Sequence, residues 1–585
     1  MKPYSNSTGH PSENKSISTF SLFTARFFVA AIIIFVAVPG FGQIPAPGLV
    51  IGSANTATAD PPVPRPETTP CVVQLFSNIA FANFSPKLFS FAPPAACPAP
   101  WAKVVLEADF SIQAGRQFDR TANIWIGGTN VYFGTTSEPS ATVARSWHVE
   151  RDLTDYSALF TSPQSGRVDL GNLVNSTFTS TLFGTAELQF YPVGAKDDAP
   201  RTADVVLPLS SSSNGGSVFL NTFANPLSRT FTLPLNVERA FLDVVAQSQA
   251  NDEFWYTCVP DDVASELQSC GSTAFRESEV SIDGQPAGVA PVYPWIYTGG
   301  IDPLLWRPIP GVQALNFVPY RVDLSPFAGL LSNGQPHQIS VNVFNADFGF
   351  STTATLLLFL DHGSAQVTGE VTENTIGSGP GPSVVENLTN TNGNITGSVT
   401  VTSSRSFRLK GFARTSHGRV ETKVQQEIQF SNRQDFNITN TVFVQNIAQD
   451  TAISSVTTSR HEQDEAVVTV QKLEWPLQLD FSFVVNPDGS GSQTTTIQQA
   501  YNRREVAPGN DGPTFSVVSN SVSPSDTLLF DSSFHITGHQ NQSNTQRYFT
   551  KDSGGECFSR TITAADGLLT SVTDGAGCPH NGHSH

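Results

Sequence analysis

ANIWIGGTNVYFG, residues 122–134, is short, rich in β-branched and aromatic residues and broken by glycine, and a region made of such runs is a region of strands. Around it lie KVVLEADF at 103–110, RSWHVERDLT at 145–154, GRVDLGN at 166–172 and TAELQFYPV at 185–193. Gly, Pro and Asn clusters separate these runs, and no long helical pattern intervenes. Two packed antiparallel sheets are the natural way to bury such faces. The first domain is expected over 71–205.

The same texture continues downstream. After SSSSNGGS at 210–217 come TFTLPLN, RAFLDVVAQSQ, SEVSIDGQPAGVAP, HQISVNVFNAD and TATLLLFLD, which place a second β domain at 218–370. Asp283-Gly284 within it is a natural hairpin turn. IGSGPGPS at 376–383 centres a polar stretch at 371–397, read as a linker. Beyond it RVETKVQQEIQF, NITNTVFVQNI and AVVTVQKLEWPLQLDFSFVV read as long strands of a third, supporting β-rich domain at 398–585.

The N-terminus carries FFVAAIIIFVAVP at 27–39, preceded by Lys2, Lys15 and Arg26. That run is shorter than the roughly 20 apolar residues a spanning helix needs, and it fits a signal-peptide core with cleavage near Gly42. An uncleaved signal anchor is the alternative. The expectation is therefore a secreted or secretory-pathway lumenal protein, or a type II membrane-anchored one whose membrane contact is this segment alone. Residues 43–70, ending in PPVPRPETTP, read as an extended arm. Six cysteines, an even number, suggest disulfides. Neighbours are the simplest partners among the roughly 15 connectivities that six cysteines allow. Sequons at Asn83, Asn175, Asn387, Asn394, Asn437 and Asn541 suggest N-glycosylation. A formal charge of -18 argues against nucleic acid or an anionic membrane surface as the main partner.

Two acids stand out by context. Asp119 lies in GRQFDR between Arg116 and Arg120, directly before a strand. Glu253 lies in NDEFWY beside Asp252 and an aromatic pair. Arginine favours the ionised carboxylate and apolar surroundings favour the protonated one, a difference suited to a hydrolase that activates water. The competing reading is a surface ion pair and a loop-edge carboxylate.

GRQFDR, ANIWIGG, DLGNLVNST at 169–177, NDEFWY, YPWIYTGGIDPLLWRPIPG at 293–311 and PYRVDLSPFAGLL at 319–331 together resemble the plant and fungal A-type peptide-N-glycosidases, in order and spacing. The resemblance implies a mainly β fold with two adjacent jelly-roll β-sandwiches and a cleft between them. It implies hydrolysis of the amide joining asparagine to the first N-acetylglucosamine, with N-glycosylated peptides or unfolded glycoproteins as substrates and no cofactor. Asp119 matches the family's essential aspartate and Glu253 its second-domain glutamate. A second first-domain carboxylate should fall near GNLVNST, where this chain has Asn172. Arg116, Arg120, Asn172, Asp252, Trp255, Trp306 and Arg307 are carried over as substrate-binding residues.

Trp255, Tyr256, Trp295, Tyr297 and Trp306 have two readings, as sugar-facing walls or as ordinary sandwich-core material. Histidines support no other enzyme class: His148 lies near Glu150 and Asp152 without a compact ligand set, and His580, His583 and His585 form a terminal cluster without partners. GSGPG lacks the Lys-Ser/Thr of a phosphate loop, and no GxSxG elbow sits in a strand-turn-helix setting. The competing functional class is a non-catalytic glycan-binding or cell-wall-associated adhesion protein.

Overall fold

The computed structural model describes residues 48–578 except 196, 222–225, 348, 378, 463–464 and 510–511. The expected signal segment at 1–42 and the terminal histidines therefore lie outside the described residues. The described strands form five antiparallel sheets.

The first two sheets face each other. One takes Cys71–Phe81, Leu182–Pro192, Trp101–Ile112 and Arg145–Asp152 in that spatial order, and the other Lys87–Phe91, Gln164–Leu170, Thr121–Ile126 and Thr129–Thr135. Phe81, Phe110, Tyr132, Trp147 and Phe190 fill the space between them. The opening motif is a hairpin whose two-residue loop, Gly127-Gly128, has φ of 56° and 83°. Positive φ at both positions is the turn whose twist matches paired strands, and glycine adopts it without steric cost.

A second pair follows. Val218–Leu220, Phe350–Leu360, Val237–Ser248 and Tyr320–Asp323 make one sheet, with Val205–Pro208 also paired to Phe350–Leu360. Leu227–Thr232, Pro336–Phe344, Glu277–Ile282 and Gln285–Pro291 make the other. Asp283-Gly284 turns between the last two sequence-adjacent strands, with φ of 51° and 77°, as the sequence predicts.

The rest of the chain builds one sheet of 13 strands. Residues 371–397, expected as a linker, enter it: Thr368–Asn374 and Ser383–Thr391 both pair with Asn394–Thr415. Asn392-Gly393, at φ of 54° and 84°, closes the second of these hairpins, and its composition had been submerged in a polar stretch. Gly418–Ile438 alternates strictly along its second half, with Ile428, Phe430, Asn432, Gln434, Phe436 and Ile438 buried and intervening side chains turned outward. Polar amides thus occupy inward positions of a packed face.

The arm joins these parts. The Ala59 amide donates to Gln546 of the large sheet at 2.7 Å, Ala57 donates to the Pro308 carbonyl at 3.0 Å, and Thr56 bonds Ser137 at 2.8 Å. Arg65 then pairs with Glu107 and Glu150 of the first sheet at 2.5 and 2.9 Å. Glu107, His148 and Glu150 lie close enough together to hold a cation, and the Arg65 guanidinium supplies that charge.

The disulfides join neighbours as expected: Cys71–Cys97, Cys258–Cys270 and Cys557–Cys578. Cys258–Cys270 joins cysteines with a sequence separation of 12, directly after the Glu253 segment. Replacing both cysteines by serine should lower the unfolding free energy by about 2–3 kcal/mol, read by denaturant titration, because the unfolded chain regains the loop-closure entropy.

Candidate active site

Asp119 occupies the loop entering Thr121–Ile126, and Glu138 the loop leaving Thr129–Thr135. The hairpin register puts Thr121 opposite Thr135, so the two loops emerge side by side. They are stitched together beyond the strands. Thr136 donates its amide to the Arg120 carbonyl at 2.8 Å, Arg120 donates its own to Thr136 Oγ1 at 2.8 Å, and the Asp119 amide donates to Glu138 Oε1 at 3.2 Å.

The segment 293–311 lies across this pair. The Gly299 amide donates to the Asp119 carboxylate. A Cβ on Gly299 would fall 2.5 Å from Glu138 Oε1 and 2.6 Å from Asp119 Oδ1, so glycine is what lets the backbone come so near both acids. Arg307 reaches back to donate from Nη2 to Glu138 Oε2 and to the Pro139 carbonyl, each at 3.1 Å. Glu253 arrives from the loop after Val237–Ser248. Tyr297 stands beside it, donating its hydroxyl to the Ser248 carbonyl and lying 3.1 Å from Ser248 Oγ.

Burial raises the pKa of all three acids. For Asp119 it is opposed by the Gly299 amide and by the Arg120 charge. For Glu138 it is reinforced by the Asp119 charge and opposed by Arg307. Glu253 is pushed up to about 7 by burial and then by Asp119. The Asp119 charge acts on both Glu138 and Glu253, so the three groups oppose one another's ionisation. The backbone donor and the adjacent arginine favour the charged form of Asp119, whereas burial and the Asp119 charge favour the protonated form of Glu253.

The other predicted residues divide. Arg116 is exposed, its guanidinium 5.7 Å from the Phe178 ring centre. Arg120 donates to Gln117 Oε1 at 2.7 Å, and Arg307 meets Glu138 as described. Asn172, by contrast, is fully buried and donates to the carbonyls of Phe81 and Ser180, so it braces a loop and the carboxylate it was matched with is absent there. Asp252 is buried in an ion pair with Arg276 at 2.8 Å and accepts the Asp347 amide at 2.9 Å. Trp255 and Trp306 are 1% and 2% exposed, packed in the core because neither ring has an open face. Tyr256, Trp295 and Tyr297 are equally enclosed, which favours the core reading for all five aromatics. Glu138 and Gly299 escaped the sequence reading. The signal that finds Glu138 is the hairpin register, which carries position 138 to the side of Asp119.

All of these groups lie within residues 61–375, the span matched by the family model for peptide N-acetyl-beta-D-glucosaminyl asparaginase amidase A. The chain belongs to this family. Among curated proteins, the amidase A of Prunus dulcis, peptide-N4-(N-acetyl-beta-glucosaminyl)asparagine amidase A, is 28% identical over 542 residues, covering 88% of this chain and 92% of that protein. Among solved structures, PNGF-II in its P21 form overlaps with a TM-score of 0.35 at 12% identity, over 49% of this chain and 65% of the other. PNGase F, a glycosylasparaginase from Flavobacterium meningosepticum, gives 0.33 at 14% identity, over 50% of this chain and 96% of the other. Overlaps that small leave the residue assignments in this amidase A family member to its own geometry.

Gly299→Ala should leave the protein folded and lower turnover about 10²-fold, since the added methyl must displace one of the two carboxylates. Steady-state kinetics alongside circular dichroism checks this. Glu253→Gln should raise the thermal midpoint at pH 8 relative to the parent and change it little at pH 5. The sign follows from linkage: a raised acid makes the native state bind more protons than the unfolded one between pH 4.5 and about 7, so the parent loses stability across that window. Equal midpoint shifts at both pH values would contradict the protonated state assigned to Glu253.

Proposed function

We propose that the protein is a peptide-N-glycosidase acting on N-glycosylated peptides and unfolded glycoproteins in the secretory pathway or outside the cell. The reaction is hydrolysis of the amide between an asparagine side chain and the proximal N-acetylglucosamine. The carrying observation is Asp119 beside Glu138, with Gly299 and Arg307 against the pair and Glu253 near enough to respond to the Asp119 charge, inside the span that defines the family.

Asp119 takes a proton from the attacking water, whose oxygen bonds to the amide carbon. Glu253, protonated at the start, delivers its proton to the departing nitrogen as the carbon–nitrogen bond breaks. The peptide keeps an aspartate in place of asparagine, and the released glycosylamine hydrolyses further to the free sugar and ammonia. Glu138, fixed by Arg307 and the Asp119 amide, holds the base in place and keeps its surroundings acidic. Arg116 and Arg120 stand on the Asp119 loop, where they would meet polar groups of the substrate.

The two sheet pairs are read as two jelly-roll sandwiches, at 71–205 and 218–370, with the large sheet as a third domain. The disulfides and the six exposed sequon asparagines suit an exported chain. No helix among the described residues is long and apolar enough to cross a membrane. A glycan-binding role without chemistry is disfavoured by the five enclosed aromatics, since sugar-binding walls need open ring faces.

Incubation with an N-glycopeptide should release the intact glycan and leave aspartate at the attachment position, read by peptide mass. Asp119→Asn should retain the fold and lose about 10²–10⁴-fold in rate. The rate should fall as pH rises through about 7, where Glu253 loses its proton, and fall again on the acid side as Asp119 gains one. Binding of the glycopeptide without product would overturn the reading.

A further inference from the structure

Residues 294–312 carry Gly299 and Arg307 into the site, yet they contain no strand or helix. A buried irregular segment has no ladder of its own to satisfy its carbonyls, so other groups must do it. Here the donors come from the 13-stranded sheet. Gln542 Nε2 donates to the carbonyls of Leu304 and Arg307 at 3.1 and 2.8 Å. Asn544 Nδ2 donates to those of Leu305 and Ile309 at 3.1 and 2.9 Å. Gln499 holds the two ends, donating to the Pro294 carbonyl at 2.6 Å and accepting the Val312 amide at 3.1 Å. All three side chains are buried.

The same device grips the chain just after Glu253. Asn432, Gln445 and Gln434 donate to the carbonyls of Tyr256, Thr257 and Cys258 at 2.9, 3.0 and 2.8 Å. These amides also bond one another, Gln445 to Gln434 at 2.7 Å and Gln434 to Asn432 at 3.0 Å, so none of them can move alone. A face that would pack equally well with leucine instead spends its inward positions on donors aimed at two loops.

We propose that Gln542 and Asn544 are positioning residues for the hydrolytic reaction, fixing Arg307 against Glu138, and that the C-terminal sheet thereby completes the active site. Gln542 holds the carbonyl of Arg307 itself. Asn544 holds the backbone on both sides of it, and Trp306 Nε1 closes the loop on the Gly300 carbonyl at 2.9 Å, next to Gly299. A shift of the segment therefore moves the guanidinium and the Gly299 amide together, withdrawing the partners of both Glu138 and Asp119. The sheet touches no substrate; it acts through the backbone it holds. This rests on the peptide-N-glycosidase reading.

The test uses the full chain with Gln542→Leu and Asn544→Leu. Gln426→Leu is the control, because Gln426 is another buried amide of the same sheet but donates to the Tyr320 hydroxyl at 2.6 Å, away from the acids. On one glycopeptide, the first two variants should lose about tenfold or more in kcat with KM within about twofold, while the control keeps kcat at a comparable loss of thermal midpoint. Amide hydrogen exchange should rise in 299–309 in the first two and stay unchanged there in the control. Gln542→Glu, which keeps chain length and replaces the donor by an acceptor, serves if the leucine variant does not fold. Equal kcat in all variants, or equal loss in the control, overturns the proposal. If the parent protein itself turns over no glycopeptide, the functional reading fails, and the exchange pattern still decides whether the grip exists.

Discussion

A row of buried side-chain amides on one face of the 13-stranded sheet is the constraint on which the rest of this molecule depends. An amide inside a core is tolerated when its hydrogen-bonding groups find partners, and these find backbone carbonyls that would otherwise be buried without donors. The exchange is mutual: the loops satisfy the sheet and the sheet satisfies the loops. It explains why two long irregular segments sit inside a β protein without unfolding it, one bearing Glu253 and the other bringing Gly299 and Arg307 against Asp119 and Glu138. Hydrophobic contact alone would leave those loops free to slide, because it has no preferred direction.

The site formed in this way is defined by the closeness of like charges. Burying three carboxyl groups together opposes the ionisation of each, and the arrangement differs from a simple cluster in giving each acid a different neighbour. Asp119 has a backbone amide and an arginine on its own loop. Glu138 has an arginine from another part of the chain. Glu253 has aromatic neighbours in sequence, and burial and the Asp119 charge both oppose its ionisation. Those differences favour the ionised form at Asp119 and the protonated form at Glu253, the pairing that the proposed hydrolysis uses.

Local features were readable from the sequence and long-range ones were not. The Asp283-Gly284 turn, the neighbour disulfides and the acids at 119 and 253 each announce themselves within a few residues. Glu138 has nothing around it to mark it, and its place follows from which residue faces which across the hairpin. Asn172 and Asp252 are carried over from the family resemblance, which reads neighbours in sequence. Their partners lie elsewhere in the chain: Phe81 for one, Arg276 for the other. The amides of the large sheet are as silent in sequence, with partners 176 residues away for Asn432 and 239 for Asn544. Pattern analysis sees alternation but not what an inward polar residue will meet.

The distance along the chain between the arm and its seat bears on synthesis. Ala59 is made early, and Gln546, which accepts its amide, follows 487 residues later. Gln542 and Asn544 are as late, and all six sequons precede them. A chain emerging from the ribosome in order thus presents five of those six asparagines before the strand that steadies Arg307 begins at Ile536, and the sixth, Asn541, within it. The protein's own surface is made, and open to modification, while the centre that cuts such linkages is still missing a wall.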